Sequence, residues 1–495
     1  MRTIHSGGSQ DSGEQEREHA GTLPGWEPGR DDPGVQGPGS GRRHERELPT
    51  RPMSSTRALC ILPALLACAC AHPPTKPDIF LISLDTTRAD AISAWGMAPA
   101  GRRDLHGQVI TPNLDALASS GVRYAWAFAH APSTLASHAT VFTGLDPHQL
   151  AIPRNGFPLL PGRETLAERL KADGWATTAV LGSSSLARPM GVDRGFDAWD
   201  ETFSVTRRHR HEATATEVTD RAIAALNARP AGEPVFLFAH YYDAHGPYHA
   251  PGPGHFGAPT DPATITRLTA ACRADGCESV EPEMEQVRGA YLDEVAYVDS
   301  EVGRLLAQPR GPAGRIVVVF GDHGELLGEE AKRPFGHGAD VDPAATHVPL
   351  IFVAPGLAPG IVQTAVGLQD LAPTLLALAG DTRPFGAGID LAGIVEGPQI
   401  PMEATQPGAN APGWNNRANE HGMVQGDEMV IEAPWLDEPA RYQHVDGSAA
   451  PPDDPRAQTL HQGLLAWLAD TPPFRAVQMD AATREGLKAL GYVDE

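Results

Sequence analysis

With 495 residues, 41% of them hydrophobic, the chain carries enough apolar side chain for one large α/β core and a smaller appendage, which excludes disorder throughout. A formal net charge of −23 argues against a nucleic-acid partner, because phosphate backbones need clustered Lys and Arg and no such run follows position 50. The acid excess suits solubility, or carboxylates gathered around a cation.

Residues 1–52 are rich in Gly, Pro, Arg and Glu and lack apolar periodicity, so they are expected to stay disordered. They read equally as a mis-assigned extension, with translation starting at Met53. From there MSSTRALCILPALLACACAHPP offers Arg57, an apolar stretch over 58–67 and then small residues, which makes 53–75 an export leader. The LLAC run ending at Cys68 is similar to a bacterial lipobox, with Cys70 as a second choice. A plain cleaved signal or a single membrane anchor is the simpler alternative, although the apolar run is short for a span. The expected location is the periplasm or outer membrane of a bacterium, with membrane contact only through a lipid anchor at Cys68.

Beyond Pro77, short buried strands alternate with amphipathic helices, the pattern of an α/β fold with a mostly parallel sheet covered on both faces. Strands are predicted over 79–84, 177–181, 235–239, 316–320 and 348–353. Pro112 opens a helix that Gly121 closes, and Gly174 closes the helix carrying Leu166 and Leu170. The longest helix places Val287, Tyr291, Val295, Val298, Val302 and Leu305 on one core-facing stripe. Cys272 and Cys277, in ACRADGCE between two helices, fit either a small disulfide loop or two free thiols. A leucine-rich helix over 368–379 ends at Gly380. The catalytic domain is thus expected over 76–395 and a small C-terminal α+β subdomain over 396–495. The latter contains a hairpin at 423–431, turning at Gly426-Asp427, and a last helix from Asp480.

Ligands in an open α/β sheet bind at the carboxyl ends of strands. Three such ends are loaded: Asp85 in ISLDTTRAD; His240, Asp243 and His245 in FLFAHYYDAHGPY; Asp322 and His323 in VVVFGDHGE. Carboxylates with imidazole suit a divalent cation such as zinc, manganese, calcium or magnesium. Any one of these residues alone reads as a cap or a satisfied strand-end group, but three clusters in one chain reverse that balance. A nucleophile is offered by APSTLASHATVFTG, where Thr134 would start a helix whose N-terminus favours anions. An isolated Thr there also fits a plain N-cap, and Ser133 and Ser137 stay open as alternatives.

The blocks KPDIFLISLDTTRAD, TPNLDALASSGVRY, STLASHATVFTG, AHYYDAHGPY, VVVFGDHGE and FGHGAD, in this order over 76–380, resemble those of the sulfatase family of the alkaline phosphatase superfamily. The closing REGLKALGYVD is similar too. The resemblance implies an alkaline-phosphatase-like central mixed, mostly parallel sheet flanked by helices, a small C-terminal subdomain, and a metal site made by Asp85, Asp322, His323 and Thr134. Sulfatases carry a Cys or Ser, matured to formylglycine, in a Cys-x-Pro-x-Arg block. The matching residues here are Thr134, Leu135, Ala136, Ser137 and His138, so no formylglycine is implied. Their paired aspartates are matched by Asp85 and Thr86, and their Asp-Asn by Asp322-His323, the pairing of phosphatase and phosphodiesterase relatives. The Lys-x-His block that grips sulfate is replaced around 182–184, and the lysine of their Gly-Lys-Gly block by His337. Most cations for a sulfate dianion are therefore gone, with His138, His245 and His337 as substitutes. His337 could instead join Asp243 or His245 in a second metal site. Asn155, in PRNGF, is a candidate substrate contact or a turn residue, and His240 and Asp243 complete the expected substrate-binding set.

These readings converge on an exported metal-dependent hydrolase of phosphate or sulfate esters, phosphoesters favoured, working through a covalent Thr134 intermediate with His138, His245 or His337 as leaving-group acid. The expected partner is a small-molecule, glycan or lipid ester. The alternatives are a phosphoethanolamine- or phosphoglycerol-type transferase acting on envelope glycans or lipids, and a catalytically inactive surface-anchored binding protein of the same fold.

Overall fold

The structure is a computed structural model that describes residues 76–95, 110–205 and 211–470, except 231, 253, 255, 310, 312, 330–332, 395, 406–418 and 434–438. The expected leader, its Cys68 anchor and the helix from Asp480 lie outside the described residues.

Eight strands build the main sheet: β1 (Asp78–Leu84), β2 (Val122–Tyr124), β3 (Ala176–Val180), β4 (Ala198–Asp200), β5 (Val235–Tyr241), β6 (Arg315–Gly321), β7 (Leu350–Val353) and β8 (Gly360–Val362). Their order is β8-β2-β7-β6-β1-β5-β3-β4, and only β7 runs against its neighbours. The sheet is therefore mostly parallel, as the sequence pattern predicts, and mixed, as the resemblance implies. All seven residues of β1 are buried, which is why it reads as a continuous apolar run rather than an alternating one. Ile79 and Leu81 point to one core and Phe80, Ile82 and Leu84 to the other, following the two-residue period of a strand. Each such side chain, fully buried, contributes roughly 1.5–3 kcal/mol.

The first core is covered by α2 (Thr134–Thr143), α4 (Leu166–Ala172) and α8 (Leu371–Leu378), the second by α1 (Pro112–Ser120), α5 (Ala215–Ala228), α6 (Pro262–Asp275) and α7 (Glu281–Leu306). A single turn, α3 (Pro147–Leu150), follows α2 and carries a capping box between Asp146 and Gln149. The predicted stripe of α7 is buried throughout. The leucine-rich helix begins as a 3-10 turn at Leu368–Asp370 before α8. Cys272 and Cys277 are disulfide-bonded, with Cα atoms 4.1 Å apart. Cys272 lies inside α6 rather than in a loop; only Leu268 and Cys272 of that helix are buried, so its periodicity is too weak to read.

The C-terminal residues form an antiparallel sheet of β9 (Ile400–Thr405), β10 (Asn419–Gln425), β11 (Glu428–Glu432) and β12 (Arg441–His444), with α9 (Pro455–Asp470) behind it. The predicted hairpin turns at Gly426, whose φ of 63° is left-handed. One face of this sheet packs on α9 through Met423, Val430, Leu460 and Leu464. The other packs on Phe128, Val341 and Ala365, which lie outside the eight-stranded sheet, so the C-terminal sheet has a core of its own beside it.

Candidate metal centre and nucleophile

Parallel register decides the site. Leu84 pairs with Tyr241 on one side and Gly321 on the other, so the next residue of the first strand, Asp85, emerges beside Asp322. Gly321 permits this approach, since a Cβ there would lie 2.4 Å from the Thr87 carbonyl oxygen. Asp85, Asp322 and His323 are all buried, and one ligand atom from each lies within 4.8 Å of the others.

Each carboxylate has one oxygen tied and one left over. Asp322 Oδ1 accepts from the backbone N–H of Thr86 at 3.1 Å and of His323 at 2.8 Å. Asp85 Oδ2 accepts from His240 Nε2 at 3.1 Å. Asp85 Oδ1 and Asp322 Oδ2 are buried without a hydrogen-bond partner. A carbonyl can only accept, so His323 Nδ1 donates to the Gly324 oxygen at 2.9 Å and Nε2 carries the lone pair. That lone pair faces Asp322 Oδ2 and Thr134 Oγ1, each 3.5 Å away. Two orphaned carboxylate oxygens and one imidazole nitrogen are the donors a divalent cation takes, and the residues fit such an ion. Burial pushes Asp85 up to about 7, with His323 and the Thr134 hydroxyl pulling it down. Asp322 is raised too, by burial and then by Asp85. Backbone strain accompanies this charge: Thr86 has a φ of 50°, a left-handed conformation costing roughly 1–3 kcal/mol for a β-branched residue.

Thr134 is the first residue of α2, and Ser133 caps the helix without a side-chain capping bond. Instead Ser133 Oγ donates to Asn155 Oδ1 at 3.0 Å, and the same oxygen accepts from Leu135 N at 2.7 Å. Asn155 N in turn donates to Ser133 Oγ at 3.0 Å. Its carboxamide oxygen is thus committed to the first turn of α2, so Asn155 holds the start of the nucleophile helix. His138 is corrected as a leaving-group acid. Its Nδ1 donates to the Thr134 carbonyl at 2.7 Å, its Nε2 accepts from Ser83 Oγ at 2.8 Å, and it has no exposed surface. Burial pushes it down to about 3, so it lies beneath the nucleophile as a neutral strut.

The other histidines divide in the same way. His240 is fully buried and orients Asp85 rather than facing substrate, and its ring meets that of His138 at 5.0 Å. His337 and His245 instead continue outward from His323, with ring centroids 4.4 Å apart for His323 and His337 and 4.9 Å for His337 and His245. Both are half-buried, as a group that protonates a leaving oxygen must be. Asp243 is interior, at 2% exposure. Among the described residues, no three-donor group joins Asp243, His245 and His337, which leaves the second metal site without support. Two further acidic groups, Asp340-Asp342-Glu420 and Asp427-Glu428-His444, are occupied by Arg333, Arg441 and Arg456.

Glu325 was not singled out by sequence reading. It is buried, takes His337 Nδ1 at 3.3 Å on Oε1 and Gly246 N at 3.4 Å on Oε2, and so fixes the His337 ring. Its signal was its place two residues beyond His323 on the same strand end.

Residues 77–381, more than half of the chain, match the family model described as Sulfatase. The chain belongs to the sulfatase family. This sulfatase-family enzyme, a hydrolase of sulfuric or phosphoric esters, is 25% identical over 396 residues to choline-sulfatase of Rhizobium meliloti (strain 1021), spanning 67% of this chain and 73% of that protein. It is 25% identical over 359 residues to an ulvan-active sulfatase of Formosa agariphila, spanning 66% of each. Phosphonate monoester hydrolase of Agrobacterium radiobacter shares the fold with a TM-score of 0.59 at 19% identity, over 80% of this chain and 96% of that one.

Proposed function

We propose that this sulfatase-family member is an exported, metal-dependent phosphoesterase that passes the phosphoryl group first to Thr134 and then to water. One observation carries the reading: Thr134 Oγ1 lies at the start of α2, 3.5 Å from the lone pair of His323, beside two buried carboxylates that each keep an unpaired oxygen. A divalent cation held by Asp85, Asp322 and His323 supplies the positive charge that favours the Thr134 alkoxide and neutralises nonbridging oxygens.

Thr134 Oγ1 forms its bond to phosphorus as the bond to the leaving oxygen breaks, with the N-terminal dipole of α2 favouring the developing negative charge. The leaving oxygen takes a proton from His337, which Glu325 holds at 3.3 Å, or from His245 beside it. Water then attacks the phosphothreonine, releasing the product and returning a proton to Thr134. An unmodified Thr at the formylglycine position, and His337 where sulfatases keep a lysine, support phosphoesters over sulfate esters. The bonded Cys272–Cys277 pair supports export, because such bonds persist in oxidising compartments. No helix among the described residues is long and apolar enough to cross a membrane.

Thr134→Ala should abolish turnover of an aryl phosphate or phosphodiester while bound metal, measured by elemental analysis, stays in place. Retained turnover in that variant overturns the covalent route. A panel of aryl sulfate, phosphate monoester, phosphodiester and phosphonate ester substrates, with manganese, zinc or calcium, tests the phosphoester preference.

A further inference from the structure

We propose that Tyr291 is a positioning residue for the metal centre, acting from α7 by holding Thr86 in its left-handed conformation. Its hydroxyl donates to the Thr86 carbonyl at 3.0 Å and accepts from Arg88 N at 3.0 Å, so one phenol bridges both ends of the turn that follows β1. Both residues are interior, Tyr291 at 1% exposure and Thr86 at 0%.

Thr86 gains nothing from its own side chain. Its φ of 50° is adopted freely by Gly and with some ease by Asn, but the turn sequence Asp85-Thr86-Thr87 supplies neither. Its hydroxyl oxygen is buried without a hydrogen-bond partner, so no local side-chain bond offsets the strain. What the conformation achieves is a contact across strands: Thr86 N–H points at Asp322 Oδ1, 3.1 Å away and 236 positions later in the chain. That bond is one of the two that hold Asp322 Oδ1 and leave Oδ2 facing His323. Without the phenol hydroxyl, Thr86 relaxes toward negative φ, its N–H turns away, and Asp322 loses half of its anchorage.

Arg88 makes the bridge firm at its far end. Its guanidinium is held by both carboxylate oxygens of Asp90 and by the Glu325 carbonyl at 3.1 Å, so Arg88 N presents a fixed donor to the phenol. The Tyr291 ring is itself braced edge-on by Tyr248, with centroids 5.5 Å apart. The phenol is therefore fixed from several sides, as a group must be to impose strain on its neighbour.

The inference rests on the proposed metal site, and Mn2+ titration of the metal-free full-length protein by calorimetry tests the two separately. Tyr291→Phe removes one oxygen and keeps the ring; its Kd for Mn2+ should rise roughly ten- to a hundredfold. In a Thr86→Gly background the left-handed turn needs no support, so the same Tyr291→Phe change should alter the affinity by less than about twofold. Co2+ should reproduce the pattern, with altered visible absorption in Tyr291→Phe and recovery in the double variant. Wild-type affinity in Tyr291→Phe overturns the inference, as does a loss that Thr86→Gly fails to restore. A wild-type protein that takes up no Mn2+ overturns the metal reading itself, and this inference with it.

Discussion

Glu403 Oε2 accepts a hydrogen bond from His148 Nδ1 at 2.6 Å, and each side chain is only 2% exposed. The bond ties β9 of the C-terminal sheet to α3, the turn directly after the nucleophile helix. Burial, and then His421, push His148 down to about 3, so the ring donates while neutral. Glu403→Ala strands that donor in the interior. Chemical denaturation should show a loss of roughly 1–3 kcal/mol.

Acid should destabilise the protein, with a sign fixed by its buried histidines. His130, His347 and His421 are pushed down to about 4, and His148 to about 3, in each case chiefly by burial. Unfolded, each takes a proton near its ordinary value of 6.5, so below that pH the unfolded chain binds more protons and stability falls. Asp85, Asp370 and Glu420, raised by burial to about 7, about 6 and about 8, act in the opposite direction, as does Asp322, but only down to the ordinary values of 3.8 for the aspartates and 4.5 for Glu420. The urea midpoint of metal-free protein should drop from pH 6.5 to pH 4, most steeply below about 4.5. A midpoint that holds or climbs across that range contradicts the neutral-histidine interior.

Metal should couple to folding, because a cation relieves two buried carboxylate oxygens, Asp85 Oδ1 and Asp322 Oδ2, that lack partners. Mn2+ at a hundredfold its Kd should stabilise the protein by roughly 2.7 kcal/mol. Asp322→Ala should erase the difference between melting curves taken with Mn2+ and with chelator. A shift that persists in that variant places the ion elsewhere.

Asn155→Ala separates holding the helix from touching the substrate. Loss of the acceptor for Ser133 Oγ and Leu135 N loosens the start of α2 and misplaces Thr134. Steady-state kinetics should show kcat reduced by up to roughly 10²-fold with KM little changed. An increase in KM at constant kcat instead supports the substrate-contact reading.

The strands β1, β5 and β6 were legible because all their residues are buried and they read as nearly unbroken apolar runs. Asp85, Asp322 and His323 were legible because strand ends are where such sheets present chemistry. The three-residue strands β2, β4 and β8 were not, since no period can be read over so short a span. The role of His240 depends on its pairing with Ser83 across a gap of 157 positions, a register no local pattern encodes. Tyr291 looked like any other member of the α7 stripe, and only the hydroxyl at its tip sets it apart. His138 was misjudged because a polar residue near a nucleophile in sequence lies beneath it as readily as in front of it.

The first strand, β1, is paired on both sides with partners made much later, Ile79 with Phe236 of β5 and with Ile316 of β6. A chain emerging from the ribosome therefore carries its most central strand with both edges bare until more than 150 further residues have appeared. Such long-range pairing folds slowly and exposes a sticky template in the meantime. A truncated product ending before β6 has neither Asp322 nor His323, and leaves β1 open to other chains along that edge. Yield and aggregation in overexpression should depend on the rate of synthesis and on chaperone supply more than on the final stability of the fold.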